Sequence, residues 1–368
     1  MEELTAGVKD AALGAGADAV GITTVEPFVG VADELAARVD SGLSGPLRFT
    51  YADPETAADP RATFGWAERL VALGRAYVPP AGRPSPGPGR GHVARFATAD
   101  HYEPLLAVAD AVAGHLRDAG WRAEAIADDP RLVDRAVAVR AGVGWWGKNS
   151  LVIAPGVGPW MLLAAVATDA ELALDEPMQR SCGTCAACLP ACPTGALVAP
   201  GVLDARRCLA TWLQSPGDLP LELREAIGGR IYGCDDCLDA CPPGIRLAAE
   251  PSPDPGHDLL GLLALGDAEL VERFAHFYIP RRQGRYLRRN LVVALANTGT
   301  PEHLPVLIEL ARHRSALVRR HAVWGVARLA RRHGLEDRGA DALTGLAADE
   351  TVGDVSGAIV DALATLNG

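Results

Sequence analysis

The sequence predicts three parts: an α/β (α+β) domain over residues 1–172, a ferredoxin-like double [4Fe–4S] domain over 173–250, and a C-terminal α-solenoid of HEAT type over 251–368. Three observations predict them. Helical and strand periodicities alternate through the first part. All eight cysteines fall between Cys182 and Cys241. An arginine-bearing motif recurs every thirty to thirty-five residues or so in a helical tail, the mark of stacked helix pairs.

In the first part, residues 3–16 have the spacing of an amphipathic helix ending at Gly-Ala-Gly, and the apolar run Ala17–Thr23 then reads as a strand. Residues 31–41 read as helix, 42–66 as turns, and Arg69–Val78 as a buried strand. The segment 79–91, PPAGRPSPGPGRG, is too rich in proline and glycine for a regular element and reads as a surface loop. Tyr102–Ala119 is a helix with Gly120 at its C-terminal cap, followed by a strand at Trp121–Ala127. That strand ends on Asp128-Asp129-Pro130, ahead of a helix at Arg131–Ala141. An acid at the carboxyl end of a strand in an α/β layer stands where ligands bind; capping of the next helix accounts for both aspartates as well.

The stretch from Gly142 joins three glycines (Gly142, Gly144, Gly147), two tryptophans (Trp145, Trp146) and the donors Lys148-Asn149-Ser150. Leu151–Ala154 and Trp160–Thr168 then read as a hairpin, so the region can floor a pocket for a large planar ligand. Two core tryptophans and a turn lysine explain the spacing equally well.

The second part carries CGTCAACLPACP from Cys182, a lone Cys208, and CDDCLDACP from Cys234. A C-x-x-C-x-x-C loop wraps three corners of a cubane, and in two-cluster ferredoxins the fourth ligand comes from the other run. This assigns Cys182, Cys185, Cys188 and Cys241 to one cluster, and Cys208, Cys234, Cys237 and Cys192 to the other. Zinc sites use two separated cysteine pairs, which this string does not offer.

With 368 residues, 49% of them hydrophobic, the chain can bury several cores, and its net charge of −11 argues against a basic coat for nucleic acid. The N-terminus has early acids, no basic leader and no membrane-length apolar run, so a cytoplasmic protein without membrane contact is expected. Past Pro251–Gly256, the repeats LRRNLVVALAN from Leu287, VRRHAVWGVAR from Val318 and, more faintly, VGDVSGAIVDA from Val352 appear. Arg281, Arg282, Arg285, Arg288, Arg289, Arg312, Arg314, Arg319 and Arg320 cluster there, and they are expected to form an exposed ridge for phosphates.

DRAVAVRAGVGWWGKNSLVI, CGTCAACLPACPTGALVAPGVLDARRC, RIYGCDDCLDACP and the arginine-bearing tail together resemble the epoxyqueuosine reductases. The resemblance covers most of the chain. It implies a reductase that uses cobalamin and two [4Fe–4S] clusters to convert epoxyqueuosine to queuosine in tRNA. It further implies that Asp128 is the proton-donating catalytic residue, and that Asp128, Lys148, Asn149, Ser150 and Asp236 contact the cofactor. The tRNA anticodon stem-loop would lie on Arg281, Arg282, Arg285, Arg288, Arg289, Arg319 and Arg320. An external low-potential electron donor and a monomeric chain complete the expectation. Three segments depart from the family pattern: Gly42–Gly45 in place of GYHG, Asp128–Arg131 in place of DSAP, and Leu209–Ser215 in place of ISYLTIE. A related corrinoid reductase of another small substrate, or a plain electron-transfer protein, are the alternatives. The latter leaves the α/β domain unexplained.

Overall fold

The computed structural model describes residues 1–77, 87–245 and 256–368, so most of the expected loop at 79–91 and residues 251–255 of the expected boundary lie outside the described residues. Two compact units emerge, each collecting separate pieces of chain. The first comprises Met1–Ala81, Thr98–Cys208 and Asp235–Pro251, and the second Gly82–Ala97, Leu209–Cys234 and Ser252–Gly368.

The first unit is built on four strands: β1 (Ala19–Thr24), β2 (Arg69–Ala76), β3 (Ala123–Ala127) and β4 (Met161–Thr168), in the order β1-β2-β4-β3. Every pairing is antiparallel, with Ile22 opposite Val71, Val71 opposite Val166 and Ile126 opposite Ala165. The mixed fold is therefore of the α+β kind. Period-two alternation sorts the strand residues onto two faces. Val71, Leu73 and Val166 meet Val8 and Ala12 of α1 (Glu2–Gly14) and Leu105, Val108, Val112 and Leu116 of α2 (Tyr102–Asp118). Leu70, Ala72, Ala165 and Ala167 meet Phe28, Phe64 and α3 (Asp134–Arg140) on the other face. Each large side chain so buried contributes about 1.5–3 kcal/mol. Gly21 lets α3 close on β1, because a Cβ there would lie 1.9 Å from the Ala141 carbonyl oxygen.

The expected hairpin between Leu151–Ala154 and Trp160–Thr168 is corrected. Val152–Ile153 pairs with Trp145–Trp146 instead, and β4 runs between β2 and β3. Its residues from Leu163 to Ala167 are buried on both faces, which suits a central strand rather than one arm of an exposed hairpin. In the cysteine region, the helical turns Cys188–Ala191 and Asp236–Asp239 pack together, bringing the two cysteine runs side by side.

The second unit contains α4 (Gly284–Thr298), α5 (Leu304–Leu310), α6 (Ala316–His333), α7 (Glu336–Ala347) and α8 (Gly353–Asn367). Helices α4, α6 and α8 stack in a layer, while α5 packs on α6 and α7 on α8. Leu291, Leu295, Val318, Val326, Leu329 and Ile359 fill the core between them. Arg90 and Gly91, expected in a loop, belong to the strand Arg90–Val93, which lies between Arg230–Tyr232 and His257–Asp258. No helix among the described residues is long and apolar enough to cross a membrane.

Candidate active site and cluster module

Asp128 follows β3 directly and takes a left-handed conformation, with φ of 50°, which a residue with a side chain rarely adopts. Backbone strain of about 1–3 kcal/mol persists only where the surroundings enforce it, and it gathers at functional sites. The carboxyl is half-buried. Burial, then the charges of Asp134 and Asp129, raise its pKa above the ordinary carboxylate value of 3.8. Asp128 is therefore equipped to keep a proton.

Asp129 behaves oppositely. Its carboxylate accepts from the Arg131 backbone N–H at 2.9 Å and clasps the Arg131 guanidinium, and the Arg131 hydrogen bond holds its pKa below the usual range. Helix capping does not explain either acid, since α3 starts only at Asp134 with Val133 at its N-cap. The expected start at Arg131 is corrected by three residues, because Asp129-Pro130-Arg131-Leu132 forms its own turn, closed by Leu132 N–H to the Asp129 carbonyl.

Lys148, Asn149 and Ser150 form the turn between Trp145–Trp146 and Val152–Ile153. Gly147 N–H donates to the Leu151 carbonyl at 2.7 Å, and a Cβ at Gly147 would strike Asn149 Oδ1 at 2.4 Å. Ser150 is left-handed too, with φ of 64°. Arg135, on α3 next to Asp134, donates to the Ser150 carbonyl at 3.0 Å, so the acid loop and this turn are tied through one guanidinium. Lys148 does not face a ligand freely: its amine donates to the Gly183 carbonyl at 2.7 Å, between Cys182 and Cys185. Asn149 Nδ2 and Trp145 Nε1 are buried donors with no partner in the structure. A buried unpaired donor costs about 1–3 kcal/mol, so both suit a ligand rimmed by carbonyl oxygens.

No disulfide joins the eight cysteines. The buried Cys241 is pushed up to about 11, by burial first and then by the charges of Cys182, Cys188 and Cys185. The last cysteine of the second run thus lies within electrostatic reach of the first three of the first run. Cys192 Sγ accepts from the Ala196 backbone N–H at 3.2 Å, and burial is outweighed by hydrogen bonds from Thr194, Ala196 and Leu197, which lower its pKa. Thr194 Oγ1 also donates to the carbonyl of Arg207, next to Cys208, at 2.6 Å. Thr194 thus links Cys192 to the backbone next to Cys208. Asp236 is buried at the start of the helical turn Asp236–Asp239, which contains Cys237. Among the described residues, no three His, Cys, Asp or Glu side chains converge on one metal ion.

A model of the 4Fe-4S double cluster binding domain matches residues 181–244, and one of HEAT repeats matches 281–364. Epoxyqueuosine reductase of Bacillus subtilis (strain 168) is 34% identical over 329 residues, 85% of this chain and 84% of that one. The Pseudomonas aeruginosa epoxyqueuosine reductase is 33% identical over 357 residues, 90% of this chain and 95% of that one. The chain belongs to the epoxyqueuosine reductase family. Crystal structures agree. An epoxyqueuosine reductase with an epoxyqueuosine-modified tRNA-Tyr stem loop superposes with a TM-score of 0.89 at 31% identity, covering 100% of this chain and 99% of that one. The Bacillus subtilis epoxyqueuosine reductase with its aspartate-bearing catalytic loop swung out of the active site gives 0.86 at 30% identity, covering 99% of each chain.

Against this family frame, the arginine ridge needs correction. Arg288 and Arg289 are buried, at 5% and 0% exposure, rather than displayed. Arg288 pairs with Asp267 at 2.8 Å and donates to the Leu263 and Leu265 carbonyls. Arg289 donates to the carbonyls of Trp212, Ser215 and Gly217, and burial lowers its pKa to about 9. Arg319 grips Glu350 through two hydrogen bonds of 2.7 and 2.8 Å, and Arg320 lies between Asp354 and Asp218. These four arginines fasten neighbouring segments of the second unit. Arg282 donates to the Val271, Ala275 and Phe277 carbonyls; Arg281 is exposed and Arg285 partly so.

Sequence reasoning missed Arg135, Arg140 and Thr194. Arg140 reaches from α3 to Thr23 Oγ1 and the Thr24 and Glu26 carbonyls, with Phe28 stacked 4.1 Å below. The RAG run held Arg140 in plain view, but the sequence gives no sign of its partners more than a hundred residues earlier.

Proposed function

We propose that this chain deoxygenates epoxyqueuosine to queuosine in tRNA, with Asp128 as the proton donor. The observation that carries this reading is Asp128 itself: a strained, half-buried acid at a strand end with a raised pKa, in a chain of this family. The balance is simple. An epoxide, two electrons and two protons give an alkene and water, so the departing oxygen must be protonated as its carbon bond breaks. A carboxylic acid whose pKa is raised above the ordinary carboxylate range serves that step as a general acid. In the relative from Bacillus subtilis an aspartate loop belongs to the active site, which supports the same role for the loop at Asp128.

The three sequence parts take three duties in this proposal: residues 1–172 hold substrate and corrinoid, 173–250 hold the clusters, and 251–368 hold tRNA. Cys182, Cys185, Cys188 and Cys241 ligate one cluster, and Cys192, Cys208, Cys234 and Cys237 the other. The mutual influence of Cys241 and the first three cysteines supports the first set, and the Thr194 link supports joining Cys192 with Cys208. Cobalamin, when bound, supplies the metal chemistry that couples one-electron clusters to a two-electron bond cleavage. Asn149 Nδ2 and Trp145 Nε1 suit its amide carbonyls, while Lys148, Ser150 and Asp236 stay in place as its neighbours. Lys148 fixes the cluster loop at Gly183, and Arg135 keeps the acid loop beside the turn. A low-potential donor outside the chain supplies the electrons, in the cytoplasm where tRNA is modified.

The test uses the anaerobically reconstituted protein, cobalamin, a chemical reductant and a stem-loop carrying epoxyqueuosine. Queuosine should appear among the digested nucleosides only when all four are present. Equal conversion without cobalamin, or none with it, contradicts the proposal.

A further inference from the structure

Of the 35 basic side chains in this sequence, Lys9 and Lys148 are the only lysines, and arginine carries the rest of the positive charge. Lys9 is paired, its amine 2.6 Å from Asp175. The Lys148 amine has no carboxylate partner among the described residues, and donates to the Gly183 carbonyl at 2.7 Å. We infer that Lys148 tunes the reduction potential of one cluster, its ammonium favouring the reduced form of the cube held by Cys182, Cys185, Cys188 and Cys241. The inference rests on the cluster ligand set given above and is independent of the substrate.

Position is the first reason. Gly183 lies between Cys182 and Cys185, so the ammonium is docked on the backbone of the loop that wraps this cluster. Gly183 is left-handed, with φ of 51°, and a Cβ there would meet no atom within 4 Å. Glycine is therefore suited to this place by the bend that offers its carbonyl to Lys148, not by lack of space. The amine is also within electrostatic reach of the Cys188 sulfur, deeper in the same run.

Fixation is the second. Gly201 N–H donates to the Lys148 carbonyl at 2.9 Å, and Ser150 N–H to the Gly147 carbonyl at 3.0 Å. Asn149 Oδ1 accepts from Leu151 N–H at 3.2 Å. The backbone beneath the charge is thus held on both sides, so the ammonium is in place before an electron arrives and needs no rearrangement when it does.

Charge is the third. Reduction adds one electron, from the low-potential donor outside the chain, and moves no proton and breaks no bond. The cube with its four thiolates becomes more negative, and its potential follows net charge, hydrogen bonds to sulfur and exposure. A lysine ammonium is a compact point charge. Half-buried and without a carboxylate partner, it attracts the reduced form more strongly than the oxidised one and is screened less than a charge in open solvent.

The test is a redox titration of the full chain reconstituted with iron and sulfide, without cobalamin or RNA, followed by electron paramagnetic resonance. The unmutated protein should hold roughly eight irons and titrate in two waves. In Lys148→Gln one wave should move, that cluster becoming about tenfold harder to reduce, or about 59 mV lower for one electron, while the other wave stays. Lys148→Arg keeps the charge and should recover most of the shift. Arg331→Gln removes an exposed charge from the second unit and should move neither wave. Two unshifted waves in Lys148→Gln at full iron content, or an equal shift of both, would overturn the inference. So would a Lys148→Gln chain that loses this cluster, because Lys148 would then serve to fasten the loop. Roughly four irons or a single wave in the unmutated protein would overturn the ligand set beneath it, whereas a failure to form queuosine would bear on neither.

Discussion

Asp128 and Asp129 are adjacent carboxylates that the fold sends in opposite directions. The clasp on Arg131 lowers the pKa of Asp129, while burial and two acidic neighbours raise that of Asp128. Asp128→Asn should cut turnover by roughly a hundredfold or more, as the loss of a general acid does. Asp129→Asn should leave turnover within a few-fold, and steady-state rates on a modified stem-loop separate the two. The sign of the pH effect follows from the raised pKa. The protonated form is the active one, so turnover should fall as pH rises through the raised value, above the ordinary 3.8. The stability that the protonated group contributes is complete below 3.8 and is lost over the same interval. Asp128→Asn should abolish both dependences. At this scale the sequence was uneven. Asp128 was legible because a strand-end acid before a glycine-rich stretch is a local pattern. Arg288 and Arg289 were misleading because a doublet of charges says nothing of which helix face the neighbouring elements cover.

The cysteine turns and the helix α4 show how elements carry information that no residue holds alone. The spacing of the two runs announces clusters, and the packing of Cys188–Ala191 on Asp236–Asp239 is what a crossed ligand pattern requires. Cys241→Ala should therefore damage the cluster of the first run, and Cys192→Ala that of the second. Iron content near four per chain in either variant, with opposite changes in their electron paramagnetic resonance spectra, would confirm the crossing; loss of the same signal in both would refute it. For α4, Arg289 is a structural clasp on the helix Leu209–Gln214, where the sequence departs from its family. Arg289→Met leaves the Trp212, Ser215 and Gly217 carbonyls short of a donor and should cost about 3 kcal/mol or more. Thermal unfolding should show a midpoint several degrees lower, while the salt dependence of RNA binding stays as it was. The central position of β4 was hidden because its apolar run fits a hairpin arm as well as a buried strand. Only the pairing of Val152–Ile153 with Trp145–Trp146 decides between them.

At the scale of the whole molecule, the fold class was legible from cysteine spacing and repeat period, both of which are one-dimensional signals. The composition of the compact units was not, since each gathers pieces that are far apart in the chain. The central claim is that electrons stored on the two clusters reach the epoxide carbon and leave water behind. Each cluster carries one electron and the reaction consumes two. The direct measurement is a single turnover: protein reconstituted with clusters and cobalamin is fully reduced, freed of excess reductant, and mixed anaerobically with an epoxyqueuosine stem-loop. The account predicts queuosine formed as the clusters become oxidised, with two electrons lost from the reduced protein for each queuosine. Clusters that stay reduced while no queuosine forms, or queuosine that forms without cluster oxidation, would contradict it.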